Sequence, residues 1–295
     1  MDVIELLKKE MLRRSYSVRT IKTYIECLRE FLKCCHKEPR RITKSDVKEY
    51  LDKLQNKGKS GSTLNIHLSA LIFLMKNILN KNFTAKIKYS RTPSKLPVVL
   101  LKEEIVRLIN AIENEKHRLM IKLLYGAGLR VNELVSLRVK DFEFENNFGW
   151  VRGGKGNKDR MFVVAESLKQ ELICCIGNNY LDFDSFLFPS YNGHLSARSV
   201  QEIIKKAAKK AGIKKNVHSH TLRHSYATHL IENGYDVGSV QMLLGHNSPN
   251  TTMVYVHIAK PNMLNIKSPL DTLQLQKDNE KQDYEHKEAQ EPAPK

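Results

Sequence analysis

The stretch His218–His257 reads HSHTLRHSYATHLIENGYDVGSVQMLLGHNSPNTTMVYVH. Three helical patterns follow one another in it. Leu222, Tyr226, Ala227 and Leu230 can share one face, and Gly234 ends that segment. Val237, Val240, Leu243 and Leu244 define a second helix, which Gly245 closes, leaving His246 at its end. Ser248 and Pro249 have the form of an N-cap followed by a first-turn proline, opening a third helix that carries Met253, Val254 and Tyr255. These forty residues also hold six of the chain's eleven histidines. His220 and Arg223, three residues apart, lie on one helix face. Such a set suits a phosphodiester, with Tyr255 as nucleophile. The plain alternative is a helical segment merely rich in His and Tyr, so the rest of the chain decides.

At 295 residues the chain is long enough for two domains of ordinary size. It has 41% hydrophobic and 27% charged residues, which implies a packed core. It contains no run of 18 apolar residues, which argues against a membrane span. The start, MDVIELLKKEMLRR, is an amphipathic helix and not a signal peptide, so a cytoplasmic protein is expected, nucleoid-associated if its partner is DNA.

The net charge of +17 is unevenly spread. Residues 1–98 carry 22 Lys/Arg against 9 Asp/Glu, and residues 99–270 carry 23 against 16. Residues 271–295 reverse the sign, with 4 against 7. A basic first third and a mildly basic middle suit a polyanion lying across both, whereas lysines that only solubilise the surface are the ordinary reading. The five cysteines, Cys27, Cys34, Cys35, Cys174 and Cys175, are odd in number and fit no zinc spacing. They read as reduced thiols, several of them on apolar helix faces.

Upstream, the pattern is again helical. Residues 2–13 form one amphipathic helix. Ser17 caps a second, with Ile21, Tyr24, Leu28, Phe31 and Leu32 at spacings of three and four. Asp46 lies near the start of a third, and Gly58 and Gly61 break it. A fourth runs from about Ser62 to Leu79. The expected fold is mainly α, with two domains. A four-helix N-terminal domain spans 1–83 and a basic linker, rich in Pro, Ser and Thr, spans 84–98. An α-helical domain with a small antiparallel three-stranded sheet spans 99–270. A polar tail, 271–295, has too little apolar content to fold.

In that second domain, helices are expected at about Lys102–Asn114 and Arg118–Tyr125, then GAGLRVNELVSL. Gly126 and Gly128 permit a tight turn and Arg130 begins the next helix, where an ordinary role would be a salt bridge to Glu133. FEFE, FGWVR and RMFVV alternate and read as strands. GGKGNKDR between them is a hairpin turn that lifts Lys155 and Lys158 clear of the sheet. It is not a P-loop, because the residue order is wrong. Helices follow at about Ala165–Ile176 and Ala197–Ala211, with FLFPS between them.

GAGLRVNEL, GGKGNKDR, HSHTLRHSYATHL and LLGHNSPNTTMVYVH, in that order and spacing, resemble the tyrosine recombinase (phage integrase) family, especially Xer-type recombinases such as the archaeal ones, and integron integrases. SVRTIKTYIECLREFL is similar to that family's SAM-like core-binding domain, so the resemblance covers nearly the whole chain. It implies a catalytic set of Arg130, Lys155, His220, Arg223, His246 and the nucleophile Tyr255, with Lys158 the rival to Lys155. It further implies a 3′-phosphotyrosine link, strand exchange through a Holliday junction, and a homotetramer on synapsed double-stranded DNA that is a monomer or dimer when free.

The chemistry of these residue types agrees. Two fixed guanidiniums can hold the non-bridging oxygens of a phosphorane-like state, and a His can add a third donor. Tyrosine titrates near pH 10, so it needs a base or a cationic field, and His220 is placed for that proton. A lysine on a mobile hairpin can protonate the leaving 5′-oxygen. The covalent link conserves the bond energy, so no cofactor or metal is expected. His218, His224, His229 and His257 read as structural or phosphate-contacting. Two other activities use related parts: a type IB topoisomerase with the same chemistry, and a DNA-binding accessory protein with none. Both chromosome-dimer resolution and mobile-element integration fit the reading.

Overall fold

Side-chain caps set the helices of the first eighty residues. The computed structural model describes residues 2–81, 90, 96–154, 159–191, 193–245 and 249–259, and the chain divides into two units, Met1–Lys95 and Leu96–Lys295. In the first unit α1 spans Val3–Arg13 and α2 spans Val18–Cys35, where Ser17 Oγ accepts from the Thr20 amide at 3.2 Å. Helix α3, Lys44–Asn56, opens on a reciprocal cap. Thr43 Oγ1 accepts from the Asp46 amide, and Asp46 Oδ2 accepts from the Thr43 amide at 2.8 Å. Each such cap is worth about 1 kcal/mol because it satisfies amides that have no partner within the helix.

Helix α4 spans Gly61–Phe73 and passes into a π-turn, Leu74–Ile78, rather than continuing as α-helix to Leu79. Leu74 and Met75 within that turn are both buried. The core these helices share includes Leu7, Met11, Leu28, Phe31 and Leu71. Of the expected linker, Ser90 is pinned: its amide donates to Asn65 Oδ1 at 2.8 Å and its carbonyl accepts from Asn65 Nδ2 at 3.1 Å. Apart from Ser90 and residues 96–98, that linker lies outside the described residues.

The second unit is built around α6, Glu115–Gly126, with Leu119, Met120, Ile121, Leu123 and Leu124 all buried. Helix α5 is Lys102–Asn110, four residues shorter at its end than the periodicity predicts. The reason is Asn114, whose Oδ1 accepts from the His117 amide at 2.9 Å and so caps α6 instead of extending α5. Helix α7 is Val131–Ser136. Strands β1 (Phe142–Glu143), β2 (Phe148–Val151) and β3 (Arg160–Val163) form an antiparallel sheet in that order, with Trp150 opposite Met161 and Val151 opposite Arg160. Helix α8 spans Glu166–Asn178. Around FLFPS the chain makes a second small hairpin, β4 (Pro189–Ser190) with β5 (Gly193–His194), too short to leave an alternating pattern. Then follow α9 (Ala197–Lys210), α10 (Ser219–Glu232), α11 (Val237–Leu244) and α12 (Pro249–Ile258).

The cysteines are free thiols; Cys27 is buried as expected of a core residue, whereas Cys174 is exposed. No helix among the described residues is long and apolar enough to cross a membrane. The segment Met263–Leu273 and the tail 271–295 lie outside the described residues.

Candidate active site

Helix α10 supplies the first half of the site. His218 is its N-cap: His218 Nδ1 accepts from the Thr221 amide at 3.3 Å, and the His218 amide donates back to Thr221 Oγ1 at 3.3 Å. This fixes where the first turn begins and thus where His220 and Arg223 point. Arg223 is only 3% exposed. Its Nη1 donates to the Gly128 carbonyl at 2.6 Å, and its Nη2 donates to the Leu244 carbonyl. Burial lowers it to about 9, with Arg130 and Arg160 adding to the effect and Glu133 opposing, so it stays cationic at neutral pH.

The GAGLR turn supplies the second half. Gly128 has φ +57°, and a Cβ there would sit 2.3 Å from Tyr226 Cδ1, so this turn accepts glycine alone. Arg130 is the residue before α7. Its amide donates to Glu133 Oε2 at 2.8 Å and its Nη1 to Glu133 Oε1 at 2.6 Å. The pairing expected with Glu133 is therefore present. That carboxylate is shared more widely, however: Arg160 Nη2 donates to Oε2 at 2.6 Å, and Arg223 Nη1 lies 3.8 Å from the same oxygen. Burial alone would raise Glu133, but the Arg160 and Arg130 bonds overcome it and hold the carboxyl below its ordinary value. Three guanidiniums thus converge on one buried anion, which keeps them from driving one another apart.

Arg160 is the member that sequence reasoning missed. The signal is the period of β3, in which Arg160 and Phe162 are buried while Met161 and Val163 are exposed. Arg160 Nη1 also donates to the Leu243 carbonyl at 2.6 Å. Together Arg160 and Arg223 grip the end of α11, where Gly245 turns with φ +60° and a Cβ would meet Arg160 Cδ at 2.7 Å. Arg130, Glu133, Arg160 and Gly245 line a cavity of about 670 Å³.

Tyr255 on α12 is 2% exposed and packs with Tyr226, Ala227, Val240 and Leu244. Burial raises its hydroxyl above the ordinary tyrosine value, while Arg223 and Arg130 pull it back. The proton expected to fall to His220 has a different neighbour: the Tyr255 hydroxyl is 2.9 Å from His224 Nδ1. The reason lies in the α10–α12 packing, which places Tyr255 one turn further along α10 than His220. Burial, then His218, Arg223 and Arg130, lower His220 itself. Of the expected site residues, Arg130, Arg223 and Tyr255 come together in this unit, with His220 on the same helix as Arg223. Lys155, Lys158 and His246 lie outside the described residues.

Comparison with known proteins places this architecture. The model of the phage integrase family matches residues 98–261, and that of the phage integrase N-terminal SAM-like domain matches residues 3–85. The chain belongs to the phage integrase family, the tyrosine recombinases, enzymes that break and rejoin DNA. A tyrosine recombinase of Thermosipho africanus is 36% identical over 262 residues, covering 83% of this chain and 91% of its own. Tyrosine recombinase XerA of Pyrococcus furiosus is 36% identical over 267 residues, covering 87% and 90%. Among solved structures, the XerH site-specific recombinase bound to its palindromic difH substrate after cleavage superposes with a TM-score of 0.68. It is 27% identical, over 84% of this chain and 78% of that one.

Proposed function

We propose that this chain is a site-specific recombinase that cuts and rejoins double-stranded DNA through a 3′-phosphotyrosine at Tyr255. Arg130 and Arg223 hold the non-bridging oxygens of the scissile phosphate, His220 adds a third donor, Lys155 protonates the leaving 5′-oxygen, and His246 completes the set. Two rounds of strand exchange in a homotetramer pass through a Holliday junction. The observation that carries this reading is the convergence of Arg130 and Arg223 on Glu133, in the unit whose α10 also bonds the Tyr255 hydroxyl. A phosphate beside these guanidiniums would meet two cations whose positions are already fixed by Glu133 and by backbone carbonyls. The XerH relative, solved on difH after cleavage, supports DNA as the partner. The protein acts in the cytoplasm, on DNA, with no cofactor.

The test is a nicked duplex that traps the cleaved state, built on a sequence that the protein itself selects from a random DNA pool. Wild-type protein should form a covalent adduct at the 3′ end of the cut strand. Tyr255→Phe should bind equally and form none; an adduct with the Phe variant would remove Tyr255 from the role. Relaxation of supercoiled plasmid lacking the selected site would instead point to a topoisomerase.

A further inference from the structure

Two histidines of α10 each meet a tyrosine hydroxyl through Nδ1 at nearly the same distance, one tyrosine from α6 and one from α12. Tyr125 Oη lies 2.8 Å from His229 Nδ1, and Tyr255 Oη lies 2.9 Å from His224 Nδ1. Their surroundings differ. His229 is buried with Glu232, Lys102 and Glu103 as the charges that act on it. His224 is the innermost of three rings that step along α10 from its exposed end. The centroids of His218 and His220 are 6.2 Å apart, and those of His220 and His224 are 6.3 Å apart. His224 also feels Arg223, and Tyr255 feels both Arg223 and Arg130. Both pairs are part-buried; what separates them is charge, since Arg223 and Arg130 act on the Tyr255 pair and Glu232, Lys102 and Glu103 act on the other.

We infer that His224 accepts the proton of the Tyr255 hydroxyl during attack on the phosphodiester and returns it when the strand is rejoined, an inference that rests on Tyr255 being the nucleophile. In the free protein, burial first, then His220, His218 and Arg223, hold His224 down to about 4. The ring is therefore neutral near pH 7, with Nδ1 open to accept the hydroxyl. Burial keeps the proton on Tyr255 against the pull of Arg223 and Arg130, so the hydroxyl is held at the acceptor but not ionised. Among the described residues, the charged groups acting on the pair come from α10 and from the turn before α7. Helix α10 contributes His218, His220 and Arg223, and the turn before α7 contributes Arg130. Helix α11 has no titratable side chain, and the lysines of α9 are exposed.

A bound phosphate places negative charge beside Arg223 and Arg130, and the phosphorane adds more. That offsets the field depressing His224. The Oη–H bond then breaks as the Oη–P bond forms, the proton passes to Nδ1, and the P–O5′ bond breaks. The leaving oxygen takes a separate proton from an acid on its own side. In the reverse direction, a protonated His224 held among cations is a strong acid beside the phosphotyrosyl oxygen, which favours rejoining.

The experiment measures single-turnover adduct formation on the selected nicked duplex, across pH ~5.5–9, for wild type, His224→Asn, Tyr255→Phe and the control His229→Asn. Asn keeps an acceptor near the Nδ1 position but cannot take a proton. His224→Asn should bind DNA like wild type, cleave roughly 10²–10³-fold more slowly and lose the pH-dependent limb. Rejoining with an added 5′-hydroxyl strand should slow by the same factor, and His229→Asn should keep the wild-type profile. Cleavage by His224→Asn within about threefold of wild type, or slow cleavage with an unchanged pH profile, overturns the inference, since His224 would only align the hydroxyl. An adduct with Tyr255→Phe would sink the nucleophile assignment instead. A measurement on unaltered protein guards against misfolded variants: nitrogen-15 NMR of His224 should show a neutral ring in the free protein and a protonated one in a vanadate-trapped complex with cleaved strands. A ring that stays neutral in that complex also overturns it.

Discussion

Arg223 Nη1 donates to the carbonyl of Gly128 at 2.6 Å, across 95 residues of sequence. This bond is where the HTLRH and GAGLR segments meet. One guanidinium reads two backbone carbonyls, those of Gly128 and Leu244, and in doing so locks the turn that carries Arg130 to the helix that carries its partner. Lysine has the charge without the planar fork. Arg223→Lys is therefore expected to lower cleavage about 10²-fold or more while DNA binding changes only a few-fold. Equal losses in both, by single-turnover cleavage and by fluorescence anisotropy, would reduce Arg223 to a phosphate grip.

Glu133 is the counter-charge to Arg130, Arg160 and Arg223. Glu133→Gln keeps the shape and removes the charge, leaving three clustered guanidiniums. Removing one partner of a buried ion pair costs about 3–5 kcal/mol, so urea unfolding followed by Trp150 fluorescence should show a loss of that size. A change under about 1 kcal/mol would mean that water already screens the cluster.

Much of this architecture is legible in the residues, for local reasons. Ser17 and Asp46 announce helix starts because their caps depend on neighbours three positions away. What escapes is decided by partners distant in sequence. Asn114 reads equally well as the tail of one helix or the cap of the next. Arg160 reads as a surface charge on a hairpin strand until Glu133 and the Leu243 carbonyl claim it. His224 stands one helical turn after His220, yet which of them meets Tyr255 depends on how α12 lies against α10.

At Gly128 a methyl group has nowhere to go. The left-handed backbone costs an alanine about 1–2 kcal/mol, and the Tyr226 ring stands in its way. Gly128→Ala should lower the thermal midpoint of this unit and slow cleavage by displacing Arg130. A variant with wild-type melting and cleavage would show that the turn can flip without cost.

The pH response of α3 follows from Asp46. The Lys37 hydrogen bond first, then the Thr43 amide, hold its carboxyl down to about 2. A depressed acid contributes stability that is complete above its unfolded value near 3.9 and is lost as pH falls through the folded value. Asp46→Asn should therefore cost about 1 kcal/mol at neutral pH, and the difference from wild type should close on acidification towards pH ~2. Hydrogen exchange of the α3 amides measures it; a gap that persists in acid would assign the cost to packing instead.

Three guanidiniums share the Glu133 carboxylate, so this cluster carries two more positive charges than negative ones, an excess that Asp159 on the cavity wall partly offsets. A preparation freed of nucleic acid is expected to take up a small oxyanion from its buffer, which would make its melting temperature a reading of that buffer. Sulfate or phosphate should raise the midpoint in proportion to RT ln(1 + [L]/Kd), and chloride at equal ionic strength much less. The choice of storage salt is then a titration of the catalytic pocket.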